Sequence, residues 1–183
     1  PARNPLKCIM VEKKTSNSSW KKPLKESLNR AALRPDPRIA VLGIGNELNG
    51  DDAAGVWLVR RLQSLLPQSP SLLCLDCGPV PENVAGVLRR FQPALVLLLD
   101  AADFGGSPGE IRWIDPQDTS GFSASSHSLP FSVLSRYLIK EIHCEVGLLG
   151  IQPSSLEFDT GLSSQVRNTC AVLQKELVSL LSE

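Results

Sequence analysis

Apolar residues along this chain occur in two patterns, short unbroken runs and longer segments with three- and four-residue spacing. An unbroken aliphatic run such as residues 94–99 is typical of a strand that is buried on both faces of a parallel sheet. The spacing of Ala54, Leu58, Leu62 and Leu65 is typical of a helix that buries one face. From residue 38 onward the two patterns alternate, which predicts an α/β fold.

The pattern predicts five strands and four helices in this part of the chain. The connection between the third and fourth strands is too short for a crossover helix, so the fourth strand is expected to be antiparallel to the others. We therefore predict a three-layer α/β/α sandwich around a five-stranded, mostly parallel sheet. The predicted strands cover residues 39–43, 72–76, 94–100, 109–114 and 146–151, and the predicted helices cover residues 52–66, 82–90, 129–140 (with Pro130 in the first turn) and 163–181.

The first 37 residues lack this alternation and are strongly basic. Residues 1–38 contain ten basic and three acidic side chains, although the formal net charge of the whole chain is zero. Ser19 is expected to cap a helix over residues 20–33 with Leu24 and Leu28 on its apolar stripe. We divide the chain into an N-terminal extension, residues 1–37, and a single domain, residues 38–183. The extension could be a surface helix with a linker, a basic arm that docks on an acidic partner, or an organelle-targeting segment.

Composition and charge argue against several classes of protein. Because the positive charge is concentrated in the extension, the domain has no globally basic surface for nucleic acid. The apolar run 94–99 is too short to cross a bilayer, and no apolar stretch follows the basic N-terminus as a secretion signal requires. Five cysteines, an odd number, in a domain with an adequate core favour a reducing compartment. We expect a cytoplasmic protein that binds neither nucleic acid nor membrane.

Two familiar kinds of reactive site are not supported by the sequence. Cys74 and Cys77 form a C-x-x-C pair, but they lie on a predicted strand, where residues three apart point to opposite faces. The chain has no second pair to complete a zinc site, so these thiols are expected to be packing residues. No G-x-S-x-G motif is present, which leaves a serine nucleophile without support.

The most informative segment is residues 41–52, which read VLGIGNELNGDD. It predicts a buried strand, a glycine turn and two carboxylates at the start of a helix. A dinucleotide fingerprint requires a third glycine where this chain has Leu48, and Asp51 and Asp52 would repel a phosphate at the helix start. The segment therefore favours a cation over a nucleotide.

Further titratable residues are predicted at the same edge of the sheet as Asp52. Asp76 ends the second strand, Asp100 ends the third, and His127 opens the helix that follows the long loop. Two carboxylates and one imidazole suit nickel, zinc or another borderline divalent ion, and three protein ligands leave positions open for water or substrate. Taken singly, each residue is better explained as a cap or a loop residue, so the metal site is inferred from their combination. Asp51 in particular is expected to cap the helix over 52–66.

Several short motifs and their order along the chain resemble those of the [NiFe]-hydrogenase maturation endopeptidases. The resemblance is greatest to the type that serves formate-hydrogenlyase hydrogenases (hydrogenase 3). The resemblance covers about residue 38 to the C-terminus, and the motifs are specific in combination although each alone is weak. Cys77 departs from it, because the family usually has glycine there. The motifs are Gly43-Ile-Gly-Asn46, Gly50-Asp-Asp52, Asp76-Cys-Gly78, Leu99-Asp100-Ala101, Pro108-Gly-Glu-Ile111, Ser126-His127 and Gly150-Ile-Gln-Pro153.

The resemblance implies an aspartate-containing, metal-dependent endopeptidase that removes a short C-terminal extension from a hydrogenase large-subunit precursor. It implies that cleavage follows nickel insertion and that the nickel is supplied by the substrate, with no organic cofactor. Asp52, Asp100 and His127 fall on the family's metal-contacting trio and are the expected catalytic residues. Asp76 matches an acidic position near the same cleft, and we expect it to bind substrate together with Asp51 and Gln152.

Three other functions are compatible with the same scaffold. A different metal-dependent peptidase or amidohydrolase would hold its metal tightly in the isolated protein and cleave generic peptides. A non-catalytic hydrogenase assembly chaperone would bind the large subunit without shortening it. A nucleotide- or flavin-binding module would be stabilised thermally by its nucleotide.

Overall fold

A computed structural model of the chain describes residues 19–117, 123–124 and 130–182. Helices and strands alternate through most of this length, as the apolar pattern predicts. The helices are α1 (Lys21–Ala32), α2 (Ala54–Leu65), α3 (Ala85–Phe91), α4 (Phe131–Ile142) and α5 (Ser164–Leu181), with 3-10 turns at Gly50–Ala53 and Pro81–Val84. The strands are β1 (Ile39–Ile44), β2 (Leu72–Gly78), β3 (Leu95–Asp103), β4 (Ile111–Ile114), β5 (Ser123–Ala124) and β6 (Glu145–Ile151).

The main strands of the sheet have the predicted number and directions. Its strand order is β2-β1-β3-β6-β4. Strands β1, β2, β3 and β6 are parallel, whereas β4 is antiparallel to β6. The prediction of a mostly parallel five-stranded sheet with one antiparallel strand is therefore confirmed. The two-residue strand β5 was not predicted, and it pairs with the carboxyl end of β3, with Ala124 opposite Ala102.

Hydrophobic clusters cover both faces of the sheet, which completes the three-layer arrangement. Along β3 the side chains alternate between the clusters, with Leu97 and Leu99 on the face covered by α1, α2 and α5. Val96 and Leu98 lie on the face covered by α3 and α4. All four are at most 1% exposed, so β3 is the doubly covered central strand that its aliphatic sequence predicts.

The thiols of the C-x-x-C pair lie on opposite faces of β2. Cys74 packs against the cluster beneath α2 and Cys77 against the cluster beneath α3 and α4. Burial raises the pKa of Cys74 to about 11 and that of Cys77 to about 12, with the charge of Asp76 adding to the shift at Cys77. Both are free thiols. The prediction that they are packing residues is confirmed.

Helix α1 is packed into the domain rather than lying apart from it. Trp20 is 1% exposed and Leu24 is fully buried, both in the cluster that contains α2 and α5. Salt bridges join Lys21 to Glu176 and Arg30 to Glu145. No break in packing therefore separates this helix from the domain, and the predicted division at residue 37 stays a prediction. Residues 1–18 lie outside the described part of the chain.

The expected helix caps differ from the observed ones. Trp20, with helical backbone angles, occupies the N-cap of α1, and no side chain caps it. The prediction for Ser19 is therefore wrong, because burial of the indole sets where the helix begins. Pro130 is the N-cap of α4 and not a residue of its first turn. The helix predicted from residue 52 starts as the 3-10 turn and becomes α-helical only at Ala54.

Glycines allow α2 to start against the ends of the central strands. A Cβ at position 55 would lie 2.0 Å from the carbonyl oxygen of Leu99 and 2.4 Å from that of Ile44. A Cβ at position 43 would lie 2.4 Å from the Gly55 carbonyl oxygen and 2.5 Å from Val59 Cγ1. The glycine-rich turn therefore serves close helix–strand packing, which explains its presence without a phosphate.

Among the described helices, none has the combination of length and apolar character needed to cross a membrane.

We expect Gly55→Ala to lower the free energy of unfolding by at least about 2 kcal/mol, because the new methyl group would collide with two backbone carbonyls that cannot turn away. Gly86→Ala in α3 is the matched control, since the nearest atom to its Cβ is a side-chain nitrogen of Arg90 at 3.9 Å. This control is expected to be neutral or stabilising by about 0.5–1 kcal/mol. Urea unfolding of both variants measures the difference, and equal stabilities would contradict the packing described for α2.

Candidate functional site

The crevice of this sheet lies between the carboxyl ends of β1 and β3. The chain leaves β1 to form β2 on one side of it and later returns to form β3 on the other. In open α/β sheets ligands bind where the connections diverge in this way. Asp52 follows β1 and Asp100 lies near the end of β3, so both predicted carboxylates flank this crevice.

Asp52 is held by the turn between β1 and α2. Its side chain is 3% exposed, and Oδ2 accepts a hydrogen bond of 2.8 Å from the backbone N–H of Asn46. Gly45 has a φ of 136°, and a Cβ there would lie 1.7 Å from the Asp52 carbonyl oxygen. Only glycine permits this approach, so the turn closes tightly against the backbone of Asp52.

Asp100 lies one residue beyond the last pairing of β3 with β1, which joins Leu99 to Gly43. It is 3% exposed, and its Oδ1 accepts no hydrogen bond from the described residues. Burial raises the pKa of Asp100 well above its usual value, and the negative charge of Asp52 raises it further. A hydrogen bond with the backbone of Ala101 acts in the opposite direction but is the smallest of the three effects. The structure thus places two mutually repelling acids at the crevice.

The third residue of the predicted trio, His127, lies outside the described residues. Within residues 19–117, 123–124 and 130–182, no three His, Cys, Asp or Glu side chains form a group that could hold a metal. The structure therefore brings together two of the three predicted ligands. Strand β5 ends at Ala124, three residues before His127, and it pairs with β3 just past Asp100.

Asp51 anchors the loop that follows β6 and does not cap α2. The N-cap positions of the 3-10 turn and of α2 carry no side-chain cap. The Asp51 carboxylate is 1% exposed and accepts hydrogen bonds from the backbone N–H groups of Ser154 (2.8 Å), Ser155 (3.2 Å) and Ser163 (2.6 Å), and from the Ser163 hydroxyl (2.9 Å). The capping prediction was wrong, because four hydrogen-bond donors from residues distant in sequence bind the Asp51 carboxylate instead.

Gln152 performs a similar task for the loop after β3. Its Oε1 accepts hydrogen bonds of 3.0 Å from the backbone N–H groups of Phe104 and Gly106, and its Nε2 donates to Asp103 at 3.0 Å. The side chain is 7% exposed. Its amide therefore joins the ends of β3 and β6.

Asp76 lies at the end of β2 in a salt bridge. Its Oδ2 accepts a hydrogen bond of 2.7 Å from Arg60 Nε, and its Oδ1 accepts one of 3.0 Å from the N–H of Gly78. The same guanidinium also binds Glu47 in the turn after β1. Arg60 thus connects the ends of β1 and β2 on the outer side of the site. The roles of Arg60 and Glu47 were not predicted, because the partners of a single charged residue on an amphipathic helix leave no local signal in the sequence.

Comparison with known proteins identifies the family. A family profile described as "Hydrogenase maturation protease" matches residues 56–180. The hydrogenase 3 maturation protease of Escherichia coli K12 is 33% identical over 138 residues, which cover 75% of this chain and 86% of that protein. The chain belongs to the hydrogenase maturation protease family.

Solved structures agree with this assignment. The crystal structure of the [NiFe] hydrogenase maturation protease HycI from Thermococcus kodakarensis KOD1 is 33% identical, with a TM-score of 0.75 over 86% of this chain and 100% of that one. The solution structure of an endopeptidase HycI from Escherichia coli is 32% identical, with a TM-score of 0.69 over 78% and 90% of the two chains. This protease is therefore a hydrolase, and the family resemblance seen in its motifs is confirmed.

We expect Asp51→Ala to lower the free energy of unfolding of the protease by about 3 kcal/mol or more, because four donors lose a buried, charged acceptor. Glu157→Ala, in the loop that Asp51 holds, removes an exposed side chain that forms no hydrogen bond with the described residues, and it is expected to change stability by less than about 0.5 kcal/mol. Thermal and urea unfolding measure both variants. A stable Asp51→Ala protein would contradict an anchoring role.

Asp100→Asn is expected to stabilise the protease at pH 8 by at least about 1 kcal/mol and to have a much smaller effect at pH 4. A carboxyl group whose pKa is raised in the folded state favours folding while protonated and opposes it increasingly as the pH rises above the usual aspartate value. Asp76→Asn is the control, since its carboxylate is paired with Arg60 and should not stabilise. Urea unfolding at both pH values checks this, and equal effects at the two would contradict it.

Proposed function

We propose that this protease removes a C-terminal extension from the precursor of a [NiFe]-hydrogenase large subunit after nickel has been inserted. In this proposal the ion in the substrate is contacted by Asp52, Asp100 and His127. The protein supplies no metal and no organic cofactor of its own. The five cysteines, of which the four described are free thiols, favour the cytoplasm as the place of the reaction.

The buried acid pair, Asp52 and Asp100, is the main support for the proposal. Asp52 and Asp100 are each 3% exposed, and each carboxylate lies within range of the charge of the other. Among the described residues, Asp100 forms no salt bridge with a Lys or Arg side chain, and its Oδ1 accepts no hydrogen bond. Two buried carboxylates close to each other are unfavourable because of desolvation and mutual repulsion, and a divalent ion offsets both effects. The pair is therefore suited to an ion that arrives with the substrate.

The length of the chain allows His127 to supply the third ligand. Ala124 is opposite Ala102, two residues beyond Asp100 along β3. Three residues span at most about 11 Å when fully extended, which is enough to reach from Ala124 back over the crevice. An imidazole beside two carboxylates makes a mixed nitrogen and oxygen set, which suits nickel.

The proposed chemistry is hydrolysis of one peptide bond. A carboxylate of the pair accepts a proton from water, and the water oxygen adds to the scissile carbonyl carbon. The bond from carbon to nitrogen then breaks, and the proton passes to the departing amine. Asp52, Asp100 and His127 would hold the nickel carried by the substrate, which would fix the scissile segment at the crevice and would supply Lewis-acid polarisation of its carbonyl. A precursor without nickel has no ion for the trio to contact, so cleavage awaits a loaded substrate.

The other three predicted site residues contact substrate or position the loops in this proposal. Asp76, with 27% of its side chain exposed at the end of β2, is proposed to contact substrate from a position fixed by Arg60. Asp51 and Gln152 were predicted to bind substrate, but their polar atoms are engaged within the chain. We propose that they hold the loops around the crevice.

The test is the mass of the large-subunit precursor before and after incubation with the protease, with and without nickel in the precursor. We expect the wild type to shorten only the nickel-loaded precursor. Asp52→Asn, Asp100→Asn and His127→Ala are each expected to slow shortening by on the order of a hundredfold or more.

Matched controls keep the chemistry of each substitution and move it away from the site. Asp115 follows β4, which runs antiparallel to β6, and the exposed His143 precedes β6, so both residues lie at the edge of the sheet opposite the site. The control variants are Asp115→Asn and His143→Ala. Both controls should process normally. Full processing by all three site variants would overturn the proposal. Shortening of generic peptides with a tightly held metal would favour another peptidase, and binding without shortening would favour an assembly chaperone.

A further inference from the structure

A group of exposed apolar side chains lies on two loops next to the acid pair. Leu48 is 53% exposed, Leu156 is 48% exposed and Phe158 is 71% exposed. Leu48 belongs to the turn between β1 and α2, whereas the other two belong to the loop between β6 and α5. We refer to Leu48, Leu156 and Phe158 as the loop face.

Backbone hydrogen bonds join the two loops into one surface. The N–H of Asp159 donates to the carbonyl oxygen of Leu48 at 2.7 Å, and Asn49 and Thr160 form a parallel bridge. The Thr160 hydroxyl donates to the carbonyl oxygen of Glu157 at 2.8 Å, which closes the second loop on itself. The loop face is therefore built on paired backbone, and its members have fixed positions relative to one another.

The same contacts fix the loop face relative to the acid pair. The N–H of Asp51 donates to the carbonyl oxygen of Ser155 at 2.9 Å, and the carboxylate of Asp51 accepts from Ser154 and Ser155. A Cβ at Gly50, which has a φ of 56°, would lie 2.7 Å from Thr160 Oγ1 and 2.8 Å from the Ser155 carbonyl oxygen. Asp52 is the next residue after Asp51. Apolar surface and acid pair therefore belong to one rigid unit.

Acidic side chains border the loop face. Glu157 and Asp159 alternate with its apolar residues along the second loop and are both exposed. Neither forms a salt bridge with any residue in the described part of the chain, whereas the nearby Glu47 is neutralised by Arg60. An apolar face with uncompensated negative charge fits a partner segment that combines apolar and basic side chains.

We propose that the loop face docks the segment of the hydrogenase precursor that flanks the scissile bond, through apolar side chains accompanied by basic ones. The inference rests on the proposed function, because it names the surface that brings this substrate to Asp52 and Asp100. A second copy of the chain is a poorer occupant, since a two-fold interface would set Glu157 and Asp159 of both copies against each other. The binding energy comes from burial of exposed apolar area, and the acidic border accelerates encounter.

The test compares Leu48→Ser and Phe158→Ser with Leu65→Ser. Leu65 is a matched control because it is 51% exposed but lies at the far end of α2 from the site. With the nickel-loaded precursor as substrate, each loop-face variant is expected to raise KM by about tenfold with kcat unchanged. Leu65→Ser should leave both constants unchanged.

The charge component is tested with the double variant Glu157→Gln, Asp159→Asn. It is expected to lower the association rate with the precursor about threefold at low salt, and the difference should vanish at high salt. Asparagine is a suitable replacement because Asp159 has a left-handed φ of 58°, which asparagine also adopts.

The outcomes separate the two proposals. Processing by the wild type together with unchanged KM in both loop-face variants would overturn docking while leaving the proposed function intact. A lower kcat with unchanged KM would also overturn it. Failure of the wild type to process or bind any loaded precursor would overturn both. A wild-type dimer in sedimentation that Phe158→Ser dissociates would assign the face to a second copy and overturn docking of the precursor.

Discussion

The close contact of Gly55 with the carbonyl oxygens of Ile44 and Leu99 is the constraint on which the site depends. A Cβ at position 55 would lie only 2.4 Å from the Ile44 oxygen and 2.0 Å from the Leu99 oxygen, so no residue other than glycine lets α2 begin so near the sheet. The 3-10 turn that carries Asp52 precedes α2 directly, so the same contact sets Asp52 beside Asp100. Backbone packing at this contact therefore holds two repelling carboxylates close together.

Two neighbouring aspartates in this turn have opposite surroundings. Asp51 is satisfied by three backbone N–H groups and a hydroxyl from the loop after β6. Asp52 faces Asn46 and the charge of Asp100. The carboxylate of Asp51 makes the loops rigid, and this rigidity keeps Asp52 and Asp100 in place despite their mutual repulsion. The hydrogen bonds of Asp51 thus stabilise a turn in which the next residue, Asp52, is repelled by Asp100.

Local signals in the sequence predicted the sheet and two of the site residues. The aliphatic run of β3 and the spacing of α2 are properties of adjacent residues, and they place Asp100 and Asp52 at one edge without further information. The partners of Asp51 are 103 to 112 residues away along the chain, so its anchoring role has no local signal. Strand β5 has two residues, too few for a pattern of alternation. The start of α1 was misjudged because burial of Trp20 outweighs the capping preference of Ser19.

Asp52 and Asp100 are proposed to supply two of the three ligands of an ion site that His127 completes. Anomalous diffraction from crystals of the wild-type protein soaked in nickel at pH 8, collected on both sides of the nickel absorption edge, tests it directly. A nickel peak about 2 Å from an oxygen of each aspartate and from a nitrogen of His127 is the predicted result. A peak that engages His127 without the aspartates, or an acid pair that excludes nickel while other side chains bind it, would contradict the account.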